Sequence, residues 1–174
     1  STPPPAEGAD ADGRLLQGAV AGSVPFEGRA LATWTWDGEP GVRLAHGWGS
    51  RAGHLGLIAR GLARAGHRVV AFDAPAHGGS RGADGAELSN GFEFARAIHA
   101  VHRACGPFAS VVGHSLGALA AAWAAAGRGA MAPYRVEVAA LVLVSAPSGI
   151  NELMANWCRR RGLAFDDLKR SLDR

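Results

Sequence analysis

The spacing of apolar and polar positions changes several times along this chain, and each change marks an element. Short apolar stretches open it at Leu15–Val24 and Ala30–Trp36. In the second, Leu31, Thr33 and Thr35 alternate with Ala32, Trp34 and Trp36, the period-two pattern of a strand. Asp37-Gly38 then predicts a hairpin turn, with Gly41–Ala45 returning as the next strand. Leu55, Ile58, Ala59 and Leu62 fall at helical spacing, and Gly66 follows as a helix stop. Arg68–Phe72 is a short apolar strand; Phe94, Ile98 and Val101 repeat as one face of a helix that ends before Gly106-Pro107. Phe108–Val112 predicts another strand, and Ser115–Ala126 a helix apolar nearly all round, hence buried on most faces. Val138–Val144 is a continuous apolar strand of the type found inside a parallel sheet. Asn151–Arg161 and Phe165–Leu172 read as two polar-faced helices. The order β-β-β-α-β-α-β-α-β predicts an α/β fold: a doubly wound, mostly parallel sheet with helices on both faces and right-handed crossovers.

Composition narrows the classes. At 174 residues, 48% hydrophobic and 19% charged, the chain supports one globular core and is too apolar for a disordered chain. Residues 1–13, rich in Pro, Ala and Asp, predict a disordered tail. The longest apolar runs, such as Ala118–Ala126, fall short of the ~18–20 residues of a membrane span and are alanine-rich. Two cysteines, Cys105 and Cys158, make no disulfide framework; as free thiols, with no secretory leader at the start, they predict a cytoplasmic protein. Of the 18 basic residues only Lys169 is a lysine, which with the abundant Ala and Gly suggests a GC-rich, bacterial-like genome. The net charge of +3 is scattered, with one dense cluster at Arg159, Arg160 and Arg161. A basic stripe with interleaved aromatics is missing, so no nucleic-acid partner is expected.

The chemistry concentrates at three turns. Gly113-His114-Ser115-Leu116-Gly117 lies between a predicted strand and a predicted apolar helix. A serine on so sharp a strand-to-helix turn is held in strained backbone geometry that projects its hydroxyl above the sheet. Neighbouring backbone comes so close that the positions two before and two after must be small, as Gly113 and Gly117 are. The helix start at Leu116 offers unpaired N–H groups and a positive dipole end to a developing oxyanion. The blander alternative is a glycine-bounded helix start with a capping serine. His46-Gly47-Trp48-Gly49 follows the strand Gly41–Ala45, where a glycine-rich turn can aim a backbone N–H, that of Trp48, at the same crevice. Asp73-Ala74-Pro75-Ala76-His77-Gly78-Gly79-Ser80 follows Arg68–Phe72. Its proline and glycines predict a shaped loop in which Asp73 fixes backbone N–H groups and His77 packs or hydrogen-bonds locally, neither taking a catalytic role.

In this order and on these strand ends, the three motifs resemble the α/β-hydrolase family over about residues 30–150. The resemblance implies a Ser-His-acid triad with Ser115 as nucleophile, and the N–H groups of Trp48 and Leu116 as oxyanion hole. It implies hydrolysis of an ester, thioester or similar acyl bond of a small-molecule substrate, with no metal or organic cofactor. A serine at the elbow argues against the family's dehalogenases and epoxide hydrolases, which carry aspartate there. The family's triad runs Ser…acid…His. All seven histidines here, at 46, 54, 67, 77, 99, 102 and 114, precede Ser115. Glu152, Asp166 and Asp167 lie downstream in helical, charged stretches and read as solvated faces. The chain therefore reads as cut short before the triad acid and His: residues 14–149 as the N-terminal part of the core, and 150–174 as the start of a helical cap. Trp48, Leu116 and Trp157 would supply apolar walls. An open sheet edge beyond Val138–Val144 would favour self-association or recruitment of a missing C-terminal segment. The rival expectations are a non-catalytic, hydrolase-like binding or interaction module, and acyl transfer to an acceptor other than water.

Overall fold

The structure, a computed structural model, describes residues 13–81, 89–160, 162 and 164–166. Glu27 and Gly28 have φ values of +47° and +77°, the consecutive positive pair that a two-residue type I′ turn requires. They fold Val20–Phe26 (β1) onto Arg29–Trp36 (β2) as an antiparallel hairpin with Phe26 opposite Arg29. The other edge of β2 pairs antiparallel with Arg68–Phe72 (β4), Trp36 opposite Val69. Gly41–Ala45 (β3) lies beyond β4, followed by Ser110–His114 (β5) and Ala140–Val144 (β6), all four parallel. The sheet order is β1-β2-β4-β3-β5-β6.

The predicted hairpin at Asp37-Gly38 is corrected by this order, because β4 stands between β2 and β3. Gly38 serves a close backbone crossing instead. Its φ is +146°, a Cβ there would overlap the Gly66 carbonyl oxygen, and the next N–H, of Glu39, donates to that oxygen at 2.9 Å. The sequence signal was local, whereas the partner of β2 is set by which strand buries its alternating face.

Alternation along the central strands splits the core in two. Val42, Leu44, Val69 and Ala71 pack with Leu55 and with Ala59 of Gly56–Arg64 (α1). Ala45, Val70, Phe72 and Val111 face the other way, against Phe94, Ile98 and Val101 of Gly91–Cys105 (α2) and Leu119, Ala120 and Ala121 of Leu116–Ala126 (α3). Helices therefore cover both faces. Asn90 caps α2 by accepting the Glu93 N–H at 2.9 Å, and the Glu93 carboxylate pairs with Arg29, tying α2 to the hairpin. Where α2 meets α3, a Cβ at Gly91 would come within 2.7 Å of the Trp123 ring.

Arg43 is fully buried in β3. Its Nη1 donates to Ile98 O at 3.1 Å, its Nη2 lies 3.0 Å from His102 Nδ1, and its guanidinium sits 4.1 Å from the centre of the Phe108 ring. Burial pushes its pKa below the usual arginine range.

β6 is apolar and, as expected from the open edge beyond it, is the outermost strand described, with Val142, Leu143 and Val144 40–49% exposed. Ile150–Arg160 (α4) matches the first expected polar-faced helix to within a residue at each end. Of the second, only Phe165 and Asp166 are described, and both are helical. Of the expected tail at residues 1–13, Gly13 is helical and residues 1–12 lie outside the described residues, as does the Trp157 side chain. No helix among the described residues is long and apolar enough to cross a membrane.

Neighbouring positions on β3 should respond oppositely to truncation. Leu44→Ala removes a side chain 1% exposed and is expected to cost about 2–5 kcal/mol in urea unfolding. Arg43→Met replaces a buried cation that has no carboxylate partner among the described residues and is expected to keep or raise the thermal midpoint.

Candidate active site

β3 and β5 lie side by side, but the chain leaves β3 toward α1 on one face and leaves β5 toward α3 on the other. Such a switch point opens a crevice at the carboxyl ends of the two strands. Ser115 stands there, between β5 and α3, with φ +52° and ψ −119°. For a residue with a Cβ this conformation costs on the order of 1–3 kcal/mol, so the surroundings must enforce it. A Cβ at Gly113 would lie 2.5 Å from Ala118 Cα, and one at Gly117 would overlap the carbonyl oxygens of Ala45 and His46. The first turn of α3 is thus pressed against both β5 and β3. Ser115 O accepts the N–H groups of Ala118 and Leu119 at 3.0 and 3.1 Å, and Ser115 N donates to Val144 O at 2.9 Å.

The turn after β3 meets this elbow directly: a Cβ on Gly47 would stand 3.1 Å from Ser115 Cβ and 3.2 Å from His114 Nδ1. Among the described residues, no hydrogen bond engages the N–H of Trp48 or of Leu116. The Trp48 ring is 47% exposed and stacks on Phe94 at 6.2 Å between centres.

Two histidines support the turn, both neutral by their bonding. His46, 1% exposed, donates from Nδ1 to Gly47 O at 2.7 Å and accepts the Ala74 N–H at Nε2 at 2.9 Å. Burial pushes its pKa down to about 4. His77 donates from Nδ1 to Pro75 O at 2.8 Å and accepts the Gly49 N–H at Nε2 at 3.0 Å. Burial lowers its pKa as well. Asp73 binds backbone: Oδ1 accepts Ala52 N–H at 2.6 Å and Oδ2 accepts Gly79 N–H at 2.7 Å. Ser80 completes the loop, donating to Asp73 O and accepting the Ala32 N–H. The remaining bonded histidines are engaged elsewhere: His54 with Ser50, His67 with Pro40, His99 with Arg135 and His102 with Arg43.

The structure thus brings Ser115, Leu116 and the His46–Gly49 turn together, while Asp73 ties its own loop at Gly79 to Ala52 in the segment after β3. Sequence reasoning missed two links, from Gly49 N–H to His77 and from Ser115 N–H to Val144 O. Each joins residues far apart in the chain, and no local pattern signals either.

A family model described as the alpha/beta hydrolase family matches residues 44–173. No curated protein matches the chain. A solved thioesterase domain from the curacin biosynthetic pathway is 28% identical, with a TM-score of 0.62 over 82% of this chain and 53% of its own. A membrane phospholipase A described as a bacterial virulence factor is 26% identical, with a TM-score of 0.62 over 79% and 43%. An epoxide hydrolase from an endophytic Streptomyces is 25% identical, with a TM-score of 0.61 over 80% and 43%. The chain spans about half or less of the length of each of these structures.

The bonding of His46 carries a pH signature. Its folded-state pKa of about 4 lies below the ordinary 6.5, so folding favours the neutral ring. That contribution is fully present above pH 6.5 and is lost as pH falls toward 4. Between pH 7 and 5 the loss should reach about 2 kcal/mol. Urea unfolding should show this slope in the native chain and a shallower one in His46→Gln. A second check concerns clearance: Gly117→Ala should abolish cooperative unfolding or lower the thermal midpoint strongly, whereas Gly61→Ala, with open space around it, should not.

Proposed function

The chain belongs to the alpha/beta hydrolase family, and from that premise we propose that it carries the nucleophile and oxyanion site of a serine hydrolase acting on an ester, thioester or related acyl bond. The observation that carries this reading is the Ser115 backbone, strained at φ +52° between β5 and α3 and hemmed in by Gly113, Gly117 and Gly47. Nothing in a mere helix cap calls for that strain, whereas a nucleophile that must stand clear of the sheet does. The unbonded N–H groups of Trp48 and Leu116 support the same reading as donors to a developing oxyanion. The thioesterase and phospholipase likenesses favour acyl chemistry.

In this mechanism Ser115 Oγ gives its proton to a general base and bonds to the acyl carbon, and the carbonyl electrons move onto oxygen. The Trp48 and Leu116 N–H groups hold that charge. The intermediate collapses, expelling the alcohol or thiol with the proton from the base, and water then releases the acid by the same steps. His46 and His77 do not serve as base, since both nitrogens of each ring are bonded to backbone. We assign the base and its acid to a segment that these 174 residues do not contain, residues 14–149 to the core, and 150–174 to the start of a cap with α4 as its first helix. A small-molecule acyl substrate and a cytoplasmic setting complete the proposal; Cys105 and Cys158 are both free thiols.

With imidazole added as base, an aryl phosphonate should form an adduct on Ser115, located by mass spectrometry and absent in Ser115→Ala. Turnover of a short-chain aryl ester by the 174-residue chain should be slow, and free imidazole should accelerate it in the native chain but not in Ser115→Ala, because the added base stands in for the one lacking. No adduct on Ser115 would sink the nucleophile assignment. Fast ester turnover indifferent to imidazole would mean that a base already lies within the chain.

A further inference from the structure

His77 sits where the loop after β4 meets the turn after β3. Pro75 O can only accept, so the 2.8 Å contact places the proton on Nδ1 and leaves the Nε2 lone pair for the Gly49 N–H at 3.0 Å. Aromatic rings hold the imidazole in place: Trp48 at 5.0 Å, Phe94 edge-on at 5.1 Å and His46 at 5.3 Å between centres. Asp73 and Arg81 of its own loop act on it electrostatically in opposite directions.

The turn it holds is the pliable part of the site. Gly47 and Gly49 flank Trp48, Gly49 has φ +68°, and nothing within 4 Å blocks a Cβ there. A segment bounded by two glycines has wide backbone freedom, and some bond must select one shape. Among its N–H groups, that of Gly49 goes to His77, that of Ser50 to Gly47 O at 3.2 Å, and that of Trp48 to no partner among the described residues.

We propose that His77 is a positioning residue of the oxyanion site: by accepting the Gly49 N–H, it fixes the Gly47–Gly49 turn in the shape that keeps the Trp48 N–H free beside the Ser115 elbow. The catalytic consequence rests on the serine-hydrolase reading; the positioning itself does not. Asp73 joins its own loop, at Gly79, to Ala52 in the segment after β3, and through His77 the same loop also reaches Gly49 in the turn before it. The ring is held neutral by burial, which keeps Nε2 an acceptor.

The test uses two variants of the full 174-residue chain. His77→Phe keeps a ring against Trp48 and Phe94 but has no acceptor; His77→Gln restores a carbonyl oxygen able to accept. The first readout is the rate at which an aryl phosphonate labels Ser115, set against reversible binding of a planar, unreactive amide analogue. His77→Phe should slow labelling by about tenfold or more while amide binding stays within about twofold, since an oxyanion donor acts on the tetrahedral state. His77→Gln should recover most of the rate. Equal losses in labelling and amide binding, an unchanged rate in His77→Phe, or no recovery in His77→Gln would each overturn the proposal. The second readout is the two-dimensional amide spectrum. In His77→Phe the Trp48, Gly49 and Ser50 amides should move while those of α3 stay in place. Unmoved turn amides, or changes spread over the whole spectrum, would overturn it. Labelling is run with imidazole present as base; if Ser115 is still unreactive in the native chain, the hydrolase reading falls, and the amide spectrum alone decides the role of His77.

Discussion

Everything at the carboxyl end of this sheet depends on a close approach between the first turn of α3 and the end of β3. A Cβ at position 117 would overlap the carbonyl oxygens of Ala45 and His46, so only glycine lets the helix seat there. Gly113 grants the same clearance against Ala118 on the strand that leads in. With the helix so close, the chain between β5 and α3 has a single residue in which to turn. That residue, Ser115, takes a backbone that side-chain-bearing residues avoid. The turn after β3 is then pressed against the elbow, and its first position must also be glycine, since a Cβ on Gly47 would crowd Ser115 Cβ. One packing constraint thus sets three glycines and a strained serine.

The constraint explains which parts of the molecule were legible in the sequence. The elbow motif could be read because its residue types follow from local clearance: small, any, serine, any, small. The alternation in the central strands was legible for a similar reason, since side-chain direction follows backbone period. Asp73 was read as fixing loop N–H groups because Pro75 and the glycines after it announced a tight loop, while its bond to Ala52 in the segment after β3 carried no local signal. Asp37-Gly38 misled because a turn-forming pair says that the chain bends, not which strands the bend joins. The true hairpin turn, Glu27-Gly28, carries a glutamate at a positive φ, a residue type that gives little turn signal, and its side chain is instead engaged by Arg96. The ALVLV run by itself looks the same at the centre of a sheet as at an edge; the edge position of β6 was legible only from the order of elements along the chain.

Polar groups in this core are held by backbone more than by one another. Arg43 leans on a helix carbonyl, an aromatic face and His102, while Asp73 binds two N–H groups, and His46 and His77 a carbonyl and an N–H each. Backbone partners do not titrate. Between neutral pH and the acid range, the buried imidazoles therefore set how the end of β3 responds to protons, and protonating either ring would set a second donor against a backbone N–H.

The Ser115 N–H ends on Val144 O, and that bond gives the elbow a kinetic dependence on the neighbouring outer strand. Val144 closes β6, the outermost strand described, whose last three residues are two-fifths to one-half exposed. Local opening is easiest where few apolar groups are buried and backbone is accessible. Solvent hydrogen exchange at the Ser115 amide should therefore keep time with β6 and not with α3, although Ser115 caps that buried helix. Stiffening of the outer strand is felt first in how long this one amide stays protected, even though the strain of the same residue is set by the packing of α3.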